Sequence, residues 1–302
     1  MFEDKPYGPV EDDVLEAVRK YKPRPDDIFI VTFARCGTTW MQHIVHLILH
    51  KGEPFESFLE FNRASPFLEM TGLEAVENMP RPGAIKTHLP FTVLPFNQEA
   101  KYIYIARNPK DCCVSNFYHM TTMRFSPMKD IKFEDFSESF LQREIYSKHL
   151  LSWYKHRDDP NILFLTFEEM KPDTRGIILK VAKFLGSQYY DMLRLDEEIM
   201  NKIIFHSSFD EMKKLNKQMD VFAEKDPEEI KKDPSMPDYL KKMFLNRPKP
   251  MQGETKTPIS FVRKGIIGNW KDHFTHDQAR HFDEKFAESV KDTDIMKIWK
   301  DL

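Results

Sequence analysis

The chain has 302 residues, 41% of them apolar and 31% charged, with a formal net charge of −3. That length suits one large α/β domain, and the composition is that of a globular chain, not a disordered or fibrous one. The small negative balance excludes a global basic field for nucleic acid or an anionic membrane, so any anion must be held by a local cluster. Three cysteines, two of them adjacent at Cys112 and Cys113, point to a reducing compartment and not to a disulfide framework.

Residues Met1 to Pro6 contain neither a basic n-region nor an apolar h-region. No window of the chain reaches the ~20 apolar residues of a membrane span, and a cytosolic protein is expected. Residues 1–27 read as a charged, proline-bearing lead-in. The β-rich run Ile28 to Phe33 then ends in a short polar loop, and a helical pattern opens after Thr39 with Trp40, Ile44, Leu47 and Ile48 on one face. A loop at a helix N-terminus directs unpaired N–H groups at an anion. Gly37 permits close backbone approach, Thr38 and Thr39 add hydroxyls, and Arg35 adds a planar cation suited to phosphate or sulfate oxygens. Against the P-loop pattern, Gly37 and Thr39 take the second glycine and the Ser/Thr, but Thr32 stands at the first glycine and Thr38 replaces the lysine. His43, His46 and His50 share another face of this helix. With no cysteine or carboxylate to complete a set, they read as solvated or core histidines.

From Pro54 to Pro82 the chain is rich in phenylalanine and is expected to be irregular, with Phe55, Phe58, Phe61 and Phe67 serving in part as a pocket wall. Ala84 to Thr87 reads as a short strand leaving His88 at its end, where ligands bind in open α/β sheets. Lys101 to Ala106 is a buried-type strand with Arg107 at its end, and Pro109 and Asp111 suit the first turn of a helix running to about Met123. Residues 125–160 read as helical, with Phe133, Phe136, Phe140, Trp153 and Tyr154 as core. Asn161 to Thr166 is a further parallel-type strand, followed by an amphipathic helix ending near Gly186. Residues 216–262, of mixed charge and with six prolines by residue 258, are expected to form a mobile loop or lid. Arg263, Lys264, Gly265 and Gly268 form a second candidate phosphate cradle. A final helix spans about Asp277 to Val290, with His273, His276 and His281 near its start and no further ligands for a metal.

These segments together resemble the cytosolic sulfotransferases. Thr32–Trp40 is similar to their donor loop, T-Y-P-K-S-G-T-T-W, at five of nine positions. Lys86-Thr87-His88-Leu89-Pro90 matches K-T-H-L-P throughout, and Tyr104–Ser115 resembles Y-x-A-R-N-x-K-D-x-x-V-S. Phe167–Lys171 resembles Y-E-D-M-K, Ser207–Lys213 resembles T-S-F-x-x-M-K, and Arg263–Trp270 matches R-K-G-x-x-G-x-W at its fixed positions. The resemblance implies a single α/β domain over residues 1–302, with a central parallel sheet, helices on both faces and a P-loop-like topology. It implies transfer of a sulfuryl group from 3′-phosphoadenosine 5′-phosphosulfate (PAPS), leaving 3′,5′-adenosine bisphosphate (PAP), without a metal. By the same resemblance His88 is the general base and Lys86 positions the sulfuryl group. Arg35, with Cys36, Gly37, Thr38 and Thr39, forms the donor loop. Trp40, Phe167, Ser207, Phe209 and Met212 border adenine, while Arg107, Ser115, Phe261, Arg263, Lys264 and Gly265 lie toward the 3′-phosphate. Phe67, Lys86, Thr87, His88 and Phe117 face a small-molecule acceptor.

Three departures fall close to the chemistry: Arg35, Cys36 and Phe167 stand where the family has lysine, serine and tyrosine. They leave open a catalytically weak nucleotide-binding protein. The loop topology leaves open a nucleotide kinase, disfavoured by Thr38 at the lysine position and by the absence of a clear Walker-B aspartate. Phenylalanine-lined loops favour a phenol, catecholamine or other monoamine, or another small alcohol over a sugar polymer, and Glu60 or Glu69 are candidates for selecting an amine. The family's pairing motif, K-x-x-x-T-V-x-x-x-E, falls at Lys271–Arg280 with His276 for valine and Arg280 for glutamate. A two-fold interface repeats each change on both sides, so a monomer or a dimer through another surface is expected.

Overall fold

In a computed structural model, residues 12–122, 128–245 and 264–300 are described. The first half runs α1 (Asp12–Lys20), β1 (Ile28–Thr32), α2 (Thr38–Leu49), α3 (Phe58–Ala64), α4 (Leu68–Glu77), β2 (Ile85–Thr87), β3 (Lys101–Ala106), α5 (Pro109–Thr122), α6 (Phe133–Gln142) and α7 (Ile145–Tyr154). The second half runs β4 (Ile162–Thr166), α8 (Phe167–Met170), α9 (Thr174–Leu185), α10 (Ser187–Leu195), α11 (Glu197–His206), α12 (Phe209–Glu224), α13 (Pro227–Lys232), α14 (Asp238–Leu245) and α15 (His276–Ser289).

The sheet is parallel throughout, in the order β2-β1-β3-β4. Strand β1 is central and buried along its whole length, which is why its sequence is continuously apolar and does not alternate. Successive side chains still point to opposite layers. Phe29, Val31, Tyr102 and Tyr104 join α1, α5, α7 and α15 in one core, while Ile28, Ile30, Ile103 and Ile105 join α2, α9 and α11 in the other. Helices therefore cover both faces. The carboxyl ends of the four strands bring Thr32, Thr87, Ala106 and Thr166 to one edge, and the residues that follow them build the site.

Two expectations are corrected. The segment Pro54 to Pro82 is not irregular: Ser57 caps α3, its hydroxyl accepting from Glu60 N at 3.2 Å, and α4 follows, broken at Gly72 (φ 71°). The expected loop or lid is helical over the part that is described. Leu215 of α12, Ile230 of α13 and Leu240 and Phe244 of α14 pack with Phe58 in a third, smaller core. The helical period was obscured there by prolines that sit at helix starts, as Pro227 does after its Asp226 cap. Residues 246–262 lie outside the described residues. Among those described, no helix is long and apolar enough to cross a membrane.

Candidate active site

The loop between β1 and α2 turns through two left-handed residues, Arg35 (φ 71°) and Gly37 (φ 101°). At Gly37 a Cβ would stand 3.0 Å from the Phe167 ring, so glycine is needed both for the angle and for the space. Arg35 has no such freedom, and the conformation costs it about 1–2 kcal/mol. The turn is held by Arg107, whose Nη1 donates to Arg35 O at 2.9 Å. The Arg35 guanidinium in turn donates from Nε to Ser115 Oγ at 3.4 Å, linking the loop to α5 across 80 residues of sequence.

Beside this loop, His88 leaves the end of β2. Its Nδ1 lies 2.7 Å from Thr32 O and 3.2 Å from Thr32 Oγ1, whose hydroxyl meets Thr38 Oγ1 at 2.6 Å. A carbonyl can only accept, so Nδ1 carries the proton and Nε2 the lone pair. Burial, reinforced by the positive charge of Lys86, holds the imidazole well below its ordinary pKa, and it is neutral at physiological pH. Lys86 itself is lowered to about 8 by burial, with Arg35 acting in the same direction and Glu69 opposing. Its ammonium sits 4.1 Å above the ring of Phe67, which also meets His88 edge-on at 5.0 Å. A cation on one side and a neutral imidazole with its acceptor nitrogen committed suit proton removal from a hydroxyl next to developing negative charge.

The other half of the site gathers around Arg107. Its guanidinium lies 4.5 Å from the Phe167 ring centre, its Nη2 donates to Ile266 O at 3.3 Å, and its Nε is buried without a hydrogen-bond partner. Trp40 meets Phe167 edge-on at 5.8 Å, and its indole Nε1 is likewise buried and unpartnered. Asp111 in the first turn of α5 accepts from Gly268 N at 2.6 Å and Trp270 N at 2.9 Å, which fastens the C-terminal glycine turn to the site. Gly265 (φ 61°) comes so close to Phe209 that a Cβ would lie 3.3 Å from that ring. Orphaned donors beside buried and half-buried aromatic rings and close-approaching glycines fit a nucleotide carrying phosphates at two separated positions.

The fold thus brings together Arg35, Gly37, Thr38, Trp40, Phe67, Lys86, His88, Arg107, Ser115, Phe167, Phe209 and Gly265. Thr39 opens α2 beside Thr38, Met212 is buried on α12 near Phe209, and Lys264 is exposed. Phe261 and Arg263 lie outside the described residues. Three side chains sit differently from expectation. The Cys36 thiol is wholly buried in the core, 3.7 Å from Cys112 Sγ, and turns away from the loop's concave face. Its N–H is taken by Phe33 O at 3.3 Å. Thr87 is fully buried, and its hydroxyl accepts from Leu89 N at 3.1 Å, because strand alternation puts it opposite Lys86 and His88. Ser207 is buried with its hydroxyl donating to Ile204 O at 3.4 Å. Phe117 packs against Phe133 and Phe136 at 5.2 and 5.5 Å.

Two groups escaped the sequence reading. His149 of α7 lies behind the base: its Nε2 donates to His88 O at 3.1 Å while Nδ1 accepts from Tyr104 OH at 3.0 Å, and burial lowers it to about 3. His119 of α5 is lowered to about 3 by burial, with the charges of Arg35 and Lys86 acting in the same direction. The position of His119, one helical turn beyond Ser115, was the available signal. His149 had none, since its partners are 45 and 61 residues away. Among the described residues no cluster of three or more His, Cys, Asp or Glu is arranged to hold a metal.

A sulfotransferase domain profile matches residues 25–237 and 217–294. Rabbit (Oryctolagus cuniculus) amine sulfotransferase is 32% identical over 297 residues, covering 95% of this chain and 88% of its own. Human (Homo sapiens) sulfotransferase 1E1 is 32% identical over 293 residues, covering 92% and 88%. Among solved structures, mouse sulfotransferase SULT7A1 complexed with PAP superposes with a TM-score of 0.68 at 26% identity, covering 96% of this chain and 93% of that one. Retinol dehydratase in complex with androsterone and PAP, at 23% identity and a TM-score of 0.66, shares the fold. With a four-stranded parallel sheet, a P-loop-like turn and matches over nearly its whole length, the chain belongs to the sulfotransferase family.

Proposed function

We propose that this sulfotransferase acts on the hydroxyl of a small aromatic acceptor, a phenol or a phenolic monoamine, with His88 as the general base. The enzyme class, a PAPS-dependent sulfotransferase, follows from the family; the acceptor and the residue roles are our reading. The observation that carries it is the His88 tautomer: with Nδ1 donating to Thr32 O at 2.7 Å, Nε2 is the proton acceptor. PAPS supplies, when bound, a sulfuryl group already joined to a phosphate leaving group. His88 Nε2 takes the acceptor's proton, an effect of ~10²–10⁴ in rate. Arg35 and the N–H groups of its loop stabilise the charge that grows on the leaving phosphate, and Lys86 orients the group in transfer. Arg107 and Ser115 bind the 3′-phosphate, and Trp40 and Phe167 flank adenine. Phe67 on the acceptor side, backed by Lys86 and His88, favours an aromatic ring, and because the rabbit relative is an amine sulfotransferase the screen includes amines.

The test is a panel of phenols, monoamines and steroids with labelled PAPS, run on the parent and on His88→Ala. Turnover of at least one phenol or monoamine is expected, together with loss of transfer and unchanged PAP affinity in the variant. Equal loss of PAP binding would make His88 structural, and turnover of steroids alone would overturn the acceptor class. We also propose that the protein is cytosolic and does not pair through Lys271–Arg280, being a monomer or a dimer through another surface. Thr275 is occupied as the cap of α15, accepting from Gln278 N at 3.2 Å, and Arg280 pairs with Asp277 at 3.1 Å. Light scattering showing a dimer that Thr275→Ala dissociates would refute this.

A further inference from the structure

We infer that Glu69 is a positioning residue for both side chains that strand β2 brings to the reaction, anchoring the main chain at His88 and keeping the proton on Lys86. Glu69 lies in the one turn of α4 that precedes the break at Gly72. Its Oε1 accepts from His88 N at 2.5 Å, across 19 residues of sequence, and the carboxylate is buried beside the Thr87 hydroxyl. The segment before it is bound to the same strand: Lys86 N donates to Pro66 O at 2.9 Å, and Phe67 bridges Lys86 as a short parallel extension of the sheet. Glu69 is therefore carried to β2 by backbone pairing and not by a flexible loop.

The charges around it make its role specific. Arg35 from the donor loop pushes protons off Lys86, while His119 of α5, His149 of α7 and His88 are all held neutral. Glu69 acts the other way and favours the ammonium. It is itself pushed up to about 7 by burial, against the pull of the His88 N–H, its own N–H, the Thr87 hydroxyl and, last, the Lys86 charge. An opposite charge at close range raises the proton affinity of an ammonium by roughly 1–3 units. Removing the carboxylate therefore takes the pKa of Lys86 further below about 8. Lys86 then loses its charge where sulfuryl transfer needs it.

This inference rests on the roles given above to Lys86 and His88, and the experiment separates the two. Lys86 acetylation by acetic anhydride, followed by peptide mass spectrometry across a pH series, reads the amine fraction directly on the full-length protein without acceptor. In Glu69→Gln, whose amide oxygen still accepts from His88 N, the midpoint of labelling is expected to fall by at least about one pH unit, a tenfold change in the ammonium-to-amine ratio. The alkaline limb of kcat should move the same way, with PAP affinity within about twofold of the parent as a check on folding. Glu69→Asp retains the charge but draws it back from His88 N. It should keep the parent's labelling midpoint and lose kcat severalfold, and it serves if glutamine is not tolerated. Coincident midpoints for parent and Glu69→Gln, or a shifted midpoint in Glu69→Asp, would overturn the inference. Full turnover by Lys86→Met would instead remove Lys86 from the reaction and leave the labelling result untouched.

Discussion

Replacing Arg107 with alanine is the most searching perturbation of the nucleotide half of the site. Among the described residues the guanidinium touches Arg35 O at 2.9 Å, Ile266 O at 3.3 Å and the Phe167 ring at 4.5 Å. Each hydrogen bond to a charged group is worth ~1.5–3 kcal/mol, and the contact with a ring ~0.5–2 kcal/mol. In the nucleotide-free protein the variant loses the two carbonyl contacts and should be destabilised by roughly 3–6 kcal/mol. In the complex it loses in addition the contact with the 3′-phosphate, so PAP affinity should fall by about tenfold to a hundredfold. Titration calorimetry with PAP and with AMP, which lacks the 3′-phosphate, separates these effects. The parent should prefer PAP strongly, and Arg107→Ala should lose most of that preference while binding AMP nearly as before. Arg107→Lys keeps the charge without the fork and should fall between them. If the ratio of PAP to AMP affinity were the same in parent and variant, Arg107 would be a brace for the loop and not a phosphate ligand.

Two further perturbations test other parts of the reasoning. Arg35→Lys should stay active, whereas Arg35→Met should lose ~10²–10³ in kcat, the scale of one donor to developing charge. Transfer at the parental rate in Arg35→Met would shift that role to Lys86. His43 and His46 are buried beside Phe55 and Phe61 and lowered to about 4 and about 3, chiefly by burial. A depressed histidine contributes stability that is complete above its unfolded pKa and is lost as pH falls toward the folded value. Thermal stability should therefore decline between about pH 6.5 and pH 4, with roughly 3 kcal/mol attributable to His43. His43→Phe should flatten that decline, and an unchanged slope in thermal melts would contradict it.

Much of the fold and of the site was legible in the chain itself. Runs such as Ile28–Thr32 and Lys101–Ala106 are apolar at every position because both faces of a parallel sheet are covered, and that pattern needs no tertiary information to read. The strand-loop-helix steps at Gly37 and at Arg107 were equally local, since the loop's chemistry and the capping of the helix that follows lie within a few residues. What local pattern could not express was direction and long-range pairing. Cys36 and Thr87 sit inside matched motifs, yet one thiol turns into the core and one hydroxyl turns back to Leu89 N, because which way a side chain points depends on the layer it packs against. The helices α3 and α12–α14 were hidden because their apolar faces are completed by one another. Glu69, His119 and His149 belong to the same class. Each acquires its environment from partners on other elements, and a buried charge or imidazole takes its proton affinity from desolvation and neighbours, which only the assembled tertiary structure supplies.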